Sequence, residues 1–232
     1  MAKGTQRQGL AEAPGALHPG RRKGLVASYS WASLRGVKRV TLGFILQVEG
    51  LVGRGSGKAV EDALQLASMW IALLPIDPVE KEPYYDLLPK DKEGIPRWWP
   101  LRETHATPAQ IKHWFLRYPN CNIAIITGPP SRLAVLDIDG PTPSDLPELP
   151  DTVVEKTPRE IGGYHYYFRI DGPQESHKYR WNEDGVDYNC ELKADLVFAI
   201  CTPSSFGGTS YRWLPGHSIF EREPAPLPPG LV

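Results

Sequence analysis

The chain has 232 residues, of which 41% are hydrophobic, and its formal net charge at pH 7 is −1. This length is sufficient for one domain of ordinary size and a flanking segment. No apolar stretch approaches the ~18 residues of a membrane span, so we expect no membrane partner and a cytoplasmic location. The cysteines, Cys121, Cys190 and Cys201, lack CxxC spacing, which favours reduced thiols over a disulfide framework or a zinc site.

The basic residues are concentrated at the N-terminus. Residues 1–58 contain ten Lys or Arg but two acidic residues, so the rest of the chain is acidic. We predict that residues 1–57 form a basic leader outside the folded domain. Such a leader can be a nucleic-acid-binding arm, an Arg-rich targeting segment or a disordered segment without function.

Two helices are predicted before the first strand. Apolar residues at helical spacing predict a helix over 59–73, which Pro75 and Pro78 end. A second helix begins at Thr107-Pro-Ala-Gln110, where Thr is the N-cap, Pro is the first helical residue and Gln completes a capping box. Its buried face is predicted to contain Ile111, Trp114, Phe115 and Tyr118.

Short strands are predicted from residue 122 onward. The apolar runs 122–127 and 132–137 are separated by Gly-Pro-Pro-Ser and are predicted to pair as a hairpin or as adjacent strands. Further predicted strands cover 152–157, 163–170, 191–201 and 211–213. Helices followed by strands predict an α+β fold over 58–214, and the Pro-rich segment 215–232 is predicted to be a tail or linker.

Asp137 and Asp139 stand two residues apart at the end of an apolar strand. Because side chains alternate between the faces of a strand, both carboxylates point to the same side. Like charges on one face repel, and a divalent cation relieves this repulsion. Oxygen-only ligands suit Mg²⁺ or Mn²⁺. The pair therefore indicates a metal site, and the alternative is an exposed turn favoured by Gly140 and Pro141.

Two later strands carry polar residues of chemical interest. His165 follows two glycines in a strand of alternating aromatic residues, and it is either a half-buried structural histidine or a functional one. Glu191 and Lys193 share one strand face, and Asp195 joins them if the strand is unbroken. On its own, such a pair is typical of a solvent-exposed strand.

The order of these motifs resembles the Prim-Pol branch of the archaeo-eukaryotic primase superfamily, the bifunctional DNA primase/polymerases. The matching segments are Thr107–Trp114, Asn122–Gly128, Leu136–Asp139, Gly162–Phe168, Glu191–Ser204 and Tyr211–Trp213. The resemblance implies an RRM-like catalytic core with an N-terminal helical/αβ subdomain and a mainly antiparallel sheet. It also implies a template-directed nucleotidyltransferase that acts on a DNA template and primer with nucleoside triphosphates, in replication or repair, including that of a mobile element.

The same resemblance assigns roles to individual residues. Asp137, Asp139 and Glu191 would hold two Mg²⁺ or Mn²⁺ ions that bridge the nucleotide phosphates and the attacking hydroxyl. His165 would bind the triphosphate, and Lys193 would add positive charge where negative charge develops. The remaining nucleotide-binding candidates are Gly162, Gly163, Ser204 and Arg159.

The chain departs from the family pattern in three places. The third acid is Glu191 where the family often has Asp, so Asp195 is an alternative metal ligand. The turn before His165 is stretched to Thr157-Pro-Arg-Glu-Ile-Gly-Gly163. No Cys/His cluster is present, so we expect no zinc. A helicase partner is expected on a separate chain or in a missing C-terminal region.

Two alternative functions compete with this interpretation. Asp137-Ile-Asp-Gly-Pro141 is close to the Asp-x-Asp-Gly-Thr motif of haloacid-dehalogenase-type phosphatases, in which Asp137 would be the nucleophile and Asp139 the acid/base. That motif normally opens a doubly wound domain, whereas here it is central and short strands follow. The other alternative is a catalytically inactive module that binds nucleotide or nucleic acid, against which the presence of all three acids and the histidine argues.

Overall fold

The computed structural model describes residues 54–140, 146–160, 162–183 and 185–231. Most of the predicted basic leader lies outside the described residues, and its last four residues begin the first helix. Within the described part of the chain, helices are few and the sheets are mainly antiparallel, which confirms the α+β prediction. None of the described helices is long and apolar enough to cross a membrane.

The α-helices are α1 (Arg54–Ser68), α2 (Leu101–Thr104) and α3 (Pro108–Arg117). The start of α3 confirms the predicted capping box. The Thr107 hydroxyl accepts a hydrogen bond from the Gln110 backbone N–H, and the Gln110 side chain accepts one from the Thr107 N–H. Ile111, Trp114 and Phe115 form the buried face of α3.

The described strands are short and follow in chain order. They are β1 (Leu73–Ile76), β2 (Asn122–Ile126), β3 (Leu133–Asp139), β4 (Val153–Lys156), β5 (Tyr164–Arg169), β6 (His177–Glu183), β7 (Val186–Lys193), β8 (Phe198–Cys201), β9 (Ser205–Phe206), β10 (Thr209–Ser210), β11 (Arg212–Trp213) and β12 (Ala225–Pro226). A small sheet has the order β1-β2-β8, and a larger sheet has the order β11-β4-β5-β3-β7-β6, with β12 beside β5. The strands β9 and β10 pair only with each other.

The first helix has the predicted length of 15 residues but lies five residues earlier, because it begins at Arg54 and ends at Ser68. Trp70 has a φ of 63°, which turns the chain, and β1 follows. All residues of β1 are buried, so its apolar run fits a sheet covered on both faces. Pro75 is tolerated there because β1 is an edge strand and needs fewer backbone donors.

The predicted pairing of the 122–127 and 132–137 runs is wrong. In the structure β2 pairs with β1 and β8, whereas β3 pairs with β5 and β7. The connection between them crosses from one sheet to the other. Its Ser131 hydroxyl donates to the Ile126 carbonyl and accepts from the Ala72 N–H. At Gly128 φ is 89°, and a Cβ would lie 2.8 Å from the Ala194 carbonyl oxygen, so the crossing requires glycine.

The central strand β3 separates two apolar clusters. Leu133 and Val135 join the core formed by α1, α3 and the small sheet. Ala134, Leu136 and Ile138 project to the opposite face and pack in a second cluster. Since side chains alternate, the two aspartates of β3 continue the first face, beyond the point where its apolar core ends.

The segment after Pro215, for which the composition predicted a tail or linker, packs against the larger sheet. The Val154 N–H donates to the His217 carbonyl, and β12 pairs in parallel with β5. Ile219 and Leu231 are buried, one in each apolar cluster. Only two residues of this segment, Ala225 and Pro226, form a described strand. A Pro-rich composition is therefore compatible with its packing against the sheet.

Replacing Thr107 by Ala is expected to lower the free energy of unfolding by about 1 kcal/mol, because the cap of α3 loses its side-chain acceptor. Thr107→Ser is the matched control, since serine keeps the hydroxyl. Urea denaturation followed by far-UV circular dichroism measures both. Equal stabilities of the Ala and Ser variants would contradict the prediction.

Candidate active site

A row of charged side chains crosses one face of the larger sheet. In the strand register, Glu155 of β4 lies opposite His165 of β5, and His165 lies opposite Asp137 of β3. Asp137 also lies opposite Glu191 of β7, which in turn lies opposite Lys178 of β6. Directly paired residues project to the same face of a sheet. The register therefore places five charged side chains side by side.

Two further charged residues extend this row along the strands. Asp139 stands two residues after Asp137, and its Oδ2 accepts a hydrogen bond from Asn189 at 3.3 Å. Lys193 stands two residues after Glu191, hydrogen-bonds to Glu191 Oε2, and lies 3.5 Å from Asp137 Oδ2. The predicted acids thus share one face with the predicted lysine and histidine. We call this group the charged face.

Glu191, and not Asp195, is the acid that stands beside Asp137. It is directly opposite Asp137 across the β3–β7 ladder. The strand β7 ends at Lys193, so the alternation that would bring Asp195 to the same face does not reach it. Asp195 is exposed, and its backbone N–H donates to the Ser176 hydroxyl.

The stretched turn before β5 brings Arg159 to the charged face. Arg159 Nε lies 2.5 Å from Asp139 Oδ1. The two glycines of the turn, Gly162 and Gly163, have φ values of 94° and 158°. A Cβ at Gly163 would overlap Thr157 Oγ1 and approach Arg159 Cδ at 3.3 Å. Any larger residue there would therefore collide with Thr157 and crowd Arg159.

Ser204, predicted to bind nucleotide, lies in the packing between β8 and β2. Its hydroxyl donates to the Ile123 carbonyl and accepts from the Ile123 N–H, each at 2.9 Å. The residue is 1% exposed. These contacts show a serine that joins the turn after β8 to the small sheet.

Glu155 is the residue that the sequence reasoning missed. Its side chain is fully buried. It accepts hydrogen bonds from the Tyr167 hydroxyl at 2.7 Å and from the Thr202 N–H and hydroxyl, both at 2.5 Å. Its Oε2 also lies 3.2 Å from His165 Nδ1. A buried carboxylate requires such a set of donors. Nothing local in the sequence distinguishes this acid from an exposed one, because only the strand register shows that it faces His165.

The charged face sets the protonation of its histidine. Burial alone would lower the pKa of His165, but the carboxylates of Asp137 and Glu155 outweigh it and raise the pKa to about 9. His165 is therefore positively charged at neutral pH. Both ring nitrogens then carry protons, which point to Glu155 Oε2 and to Asp137 Oδ1, each at 3.2 Å.

The two aspartates have different acidities. Burial acts to raise the pKa of Asp137, but the neighbouring charges of His165 and Lys193 outweigh it and lower the pKa to about 2. The pKa of Asp139 is raised, first by burial and then by the negative charge of Asp137. Asp137 therefore stays ionised over the whole physiological range.

The donor chemistry of the charged face fits a hard divalent cation. Asp137, Asp139 and Glu191 offer carboxylate oxygens, which Mg²⁺ and Mn²⁺ prefer. Among the described residues, however, no three His, Cys, Asp or Glu side chains are arranged around a common metal position. Their oxygens are instead paired with basic side chains, above all Lys193 and Arg159. The ligand type thus suits a metal, while the present arrangement is an ion-pair network.

Comparison with known proteins gives one family. The family model described as "Bifunctional DNA primase/polymerase, N-terminal" matches residues 63–230, well over half of the chain. This span contains the whole charged face and nearly all of the segment after Pro215 that packs on the larger sheet. The comparison with curated proteins gave no match.

Glu155→Gln is expected to lower the pKa of His165 below its present value of about 9, because it removes one of the two carboxylates that hold the histidine charged. NMR titration of the imidazole in chelator-treated protein measures this shift. Glu160→Gln is the control, since Glu160 is an exposed acid on the neighbouring turn. An unchanged histidine pKa in the Glu155 variant would show that the carboxylate does not act on the ring.

The same raised pKa makes stability depend on pH. A histidine with a raised folded-state pKa contributes stability that is fully present below its unfolded value of 6.5 and is lost as the pH rises through about 9. The free energy of unfolding of chelator-treated protein should therefore fall between these pH values. Urea denaturation across the range should show a smaller decline in Glu155→Gln, and an equal decline would contradict this account.

Proposed function

Because the chain belongs to the bifunctional DNA primase/polymerase family, whose members are nucleotidyltransferases, we propose that it adds nucleotides to a primer on a DNA template. The observation that most directly supports this proposal is the common face of Asp137, Asp139 and Glu191 beside His165. Primer synthesis without a pre-existing 3′ end is an additional activity that we propose for the same site.

Asp137, Asp139 and Glu191 are the side chains that would hold the divalent ions, two Mg²⁺ or Mn²⁺. Such ions, when bound, neutralise the triphosphate and favour in-line attack by the 3′-hydroxyl. The low pKa of Asp137 keeps this acid ionised and able to act as a ligand. The position of Glu191 directly opposite Asp137 supports it as the third acid.

The basic residues of the charged face would bind the triphosphate. His165 is charged, and its Nε2–H points to Asp137 in the nucleotide-free protein. A phosphate oxygen bound beside Asp137 would accept this hydrogen bond in place of the carboxylate. Glu155 holds the ring from the other side by accepting a hydrogen bond from the Nδ1–H group. Arg159 and Lys193 stand next to the acids and add donors for phosphate oxygens. The glycine turn lets the main chain approach without side-chain overlap.

The partners that follow from this proposal are a DNA template with its primer and nucleoside triphosphates. A helicase, on a separate chain or in a further C-terminal region, would open the duplex for such an enzyme. We place the activity in the cytoplasm, in the replication or repair of DNA, with a mobile element as one possible setting.

A phosphatase of the haloacid-dehalogenase type is the less favoured alternative. Its nucleophile-bearing strand opens a doubly wound βα series, whereas β3 has antiparallel neighbours on both sides. A nucleophilic Asp137 would also have to attack phosphorus while paired with His165 and Lys193.

Asp137→Asn and Asp139→Asn should each reduce primer extension with Mg²⁺ or Mn²⁺ by about 100-fold or more, because metal ions contribute several kcal/mol to the transition state. Glu160→Gln is a matched control of unchanged size. Extension that survives the double substitution would reject the proposed mechanism. Hydrolysis of p-nitrophenyl phosphate that is lost in the same variants would support the phosphatase instead, and nucleotide binding without incorporation would support the inactive module.

Glu191→Gln should reduce primer extension as strongly as the two aspartate variants do, whereas Asp195→Asn should leave most of the activity. The reason is that only Glu191 lies beside Asp137, while Asp195 follows the end of β7. The two variants are compared in one extension assay at equal protein concentration. The opposite result would assign the third acid to Asp195.

A further inference from the structure

Lys193 lies where two carboxylates meet. Its Nζ hydrogen-bonds to Glu191 Oε2 and stands 3.5 Å from Asp137 Oδ2. Because Asp137 and Glu191 are direct neighbours across the β3–β7 ladder, the ammonium group bridges them. The lysine side chain is only 16% exposed, so water screens these attractions poorly.

The other Lys and Arg side chains that pair with acids of the charged face are more exposed than Lys193. Arg159 pairs with Asp139, and Lys178 Nζ lies 3.7 Å from Glu191 Oε1. These two side chains are 53% and 61% exposed, so each can turn into solvent at small cost. His165 is more buried still, but Glu155 also contacts its ring. Among the Lys and Arg side chains, Lys193 is therefore the one whose displacement would matter most.

A divalent ion that entered the charged face alone would meet this ammonium group. To bind Asp137 and Glu191, the ion would have to take both oxygens from Lys193 and leave the lysine beside a second cation. Like charges at such distances disfavour one another strongly when they are shielded from water.

A nucleoside triphosphate changes this balance. Its phosphate oxygens offer the released ammonium group a new acceptor close to the old one. A triphosphate alone would in turn meet the three carboxylates. The combination of metal and triphosphate gives every charged group an oppositely charged partner, which neither achieves by itself.

We propose that Lys193 takes the place of a divalent cation between Asp137 and Glu191 in the nucleotide-free protein and transfers to the phosphates of the incoming nucleotide. Metal alone then binds weakly, and metal and nucleoside triphosphate bind together with positive coupling, which linkage makes reciprocal. This proposal rests on the proposed function, because it takes a nucleoside triphosphate as the ligand of the site.

The first experiment measures Mn²⁺ binding without nucleotide. Chelator-treated full-length protein is titrated with Mn²⁺, and the free ion is followed by its electron paramagnetic resonance signal. Lys193→Met, which keeps an unbranched side chain of similar shape and removes the charge, should bind Mn²⁺ about tenfold more tightly than wild type, a factor typical of coupled ligands. Lys193→Arg, which keeps the charge, should bind it as weakly as wild type does.

Lys156→Met is the matched control for the loss of one positive charge. Lys156 lies on β4 of the same sheet, but it follows Glu155 and pairs with Tyr164, so it projects to the other face. Its Mn²⁺ affinity should stay close to that of wild type. An equal gain in the Lys156 and Lys193 variants, or wild-type binding as tight as that of Lys193→Met, would overturn the proposal.

The second experiment measures the nucleotide complex by calorimetry with a non-hydrolysable triphosphate analogue saturated with Mn²⁺. Lys193→Met should bind this complex about tenfold more weakly than wild type, although it binds Mn²⁺ alone more tightly. A partly unfolded variant cannot produce changes of opposite sign. Changes in the same direction would overturn the proposal, and Lys193→Gln provides a second neutral variant should methionine disturb folding.

The two proposals fail in different ways. Suppose that Lys193→Met binds Mn²⁺ alone more tightly and the nucleotide complex more weakly while wild type extends no primer. In that case the proposed role of Lys193 stands and the polymerase function fails. If extension depends on Asp137 but Mn²⁺ affinity is the same in wild type and Lys193→Met, the function stands and the role of Lys193 is rejected.

Discussion

Repulsion between adjacent carboxylates is the constraint on which the charged face depends. Asp137 has Asp139 on its own strand and Glu191 on the next, so three negative charges meet in a half-buried place. The antiparallel register places His165 on one flank of Asp137 and Lys193 on the other, and the turn before β5 places Arg159 beside Asp139. The pairing of the strands therefore brings together the charges that shift the pKa values of His165 and Asp137.

The position of the site follows from how β3 is used. The first part of the strand projects Leu133 and Val135 into the core that α1, α3 and the small sheet form. This packing determines where β3 lies and which of its faces is turned toward that core. The last part carries the aspartates on the same face, just beyond the apolar packing. A strand whose apolar residues are all buried thus ends in two partly buried carboxylates, and its neighbours on both sides contribute their partners. The turn at Gly163 completes the arrangement by placing Arg159 against Asp139.

The sequence predicted those features that depend on local rules. Alternation along one strand was enough to place Asp137 and Asp139 on one face, and the Thr107 capping box needs only four residues. Prediction from the sequence was wrong where segments far apart in the chain determine which strands pair. β2 joins β1 and β8 although β3 is next in the chain, and the helix predicted to reach Leu73 ends at Ser68, ahead of the turn that leads into β1. Glu155 was missed for the same reason, since its partners His165, Tyr167 and Thr202 come from other strands and turns.

The two carboxylate contacts of His165 have a consequence for the proposed addition of nucleotides. An imidazolium whose two N–H groups both donate to carboxylates has no lone pair with which to take up a proton. The histidine is therefore unsuited to deprotonate an attacking hydroxyl at neutral pH, however close the hydroxyl comes. It is a fixed cation, and in the proposed reaction the proton released when a phosphodiester bond forms would have to leave by way of another acceptor, such as solvent.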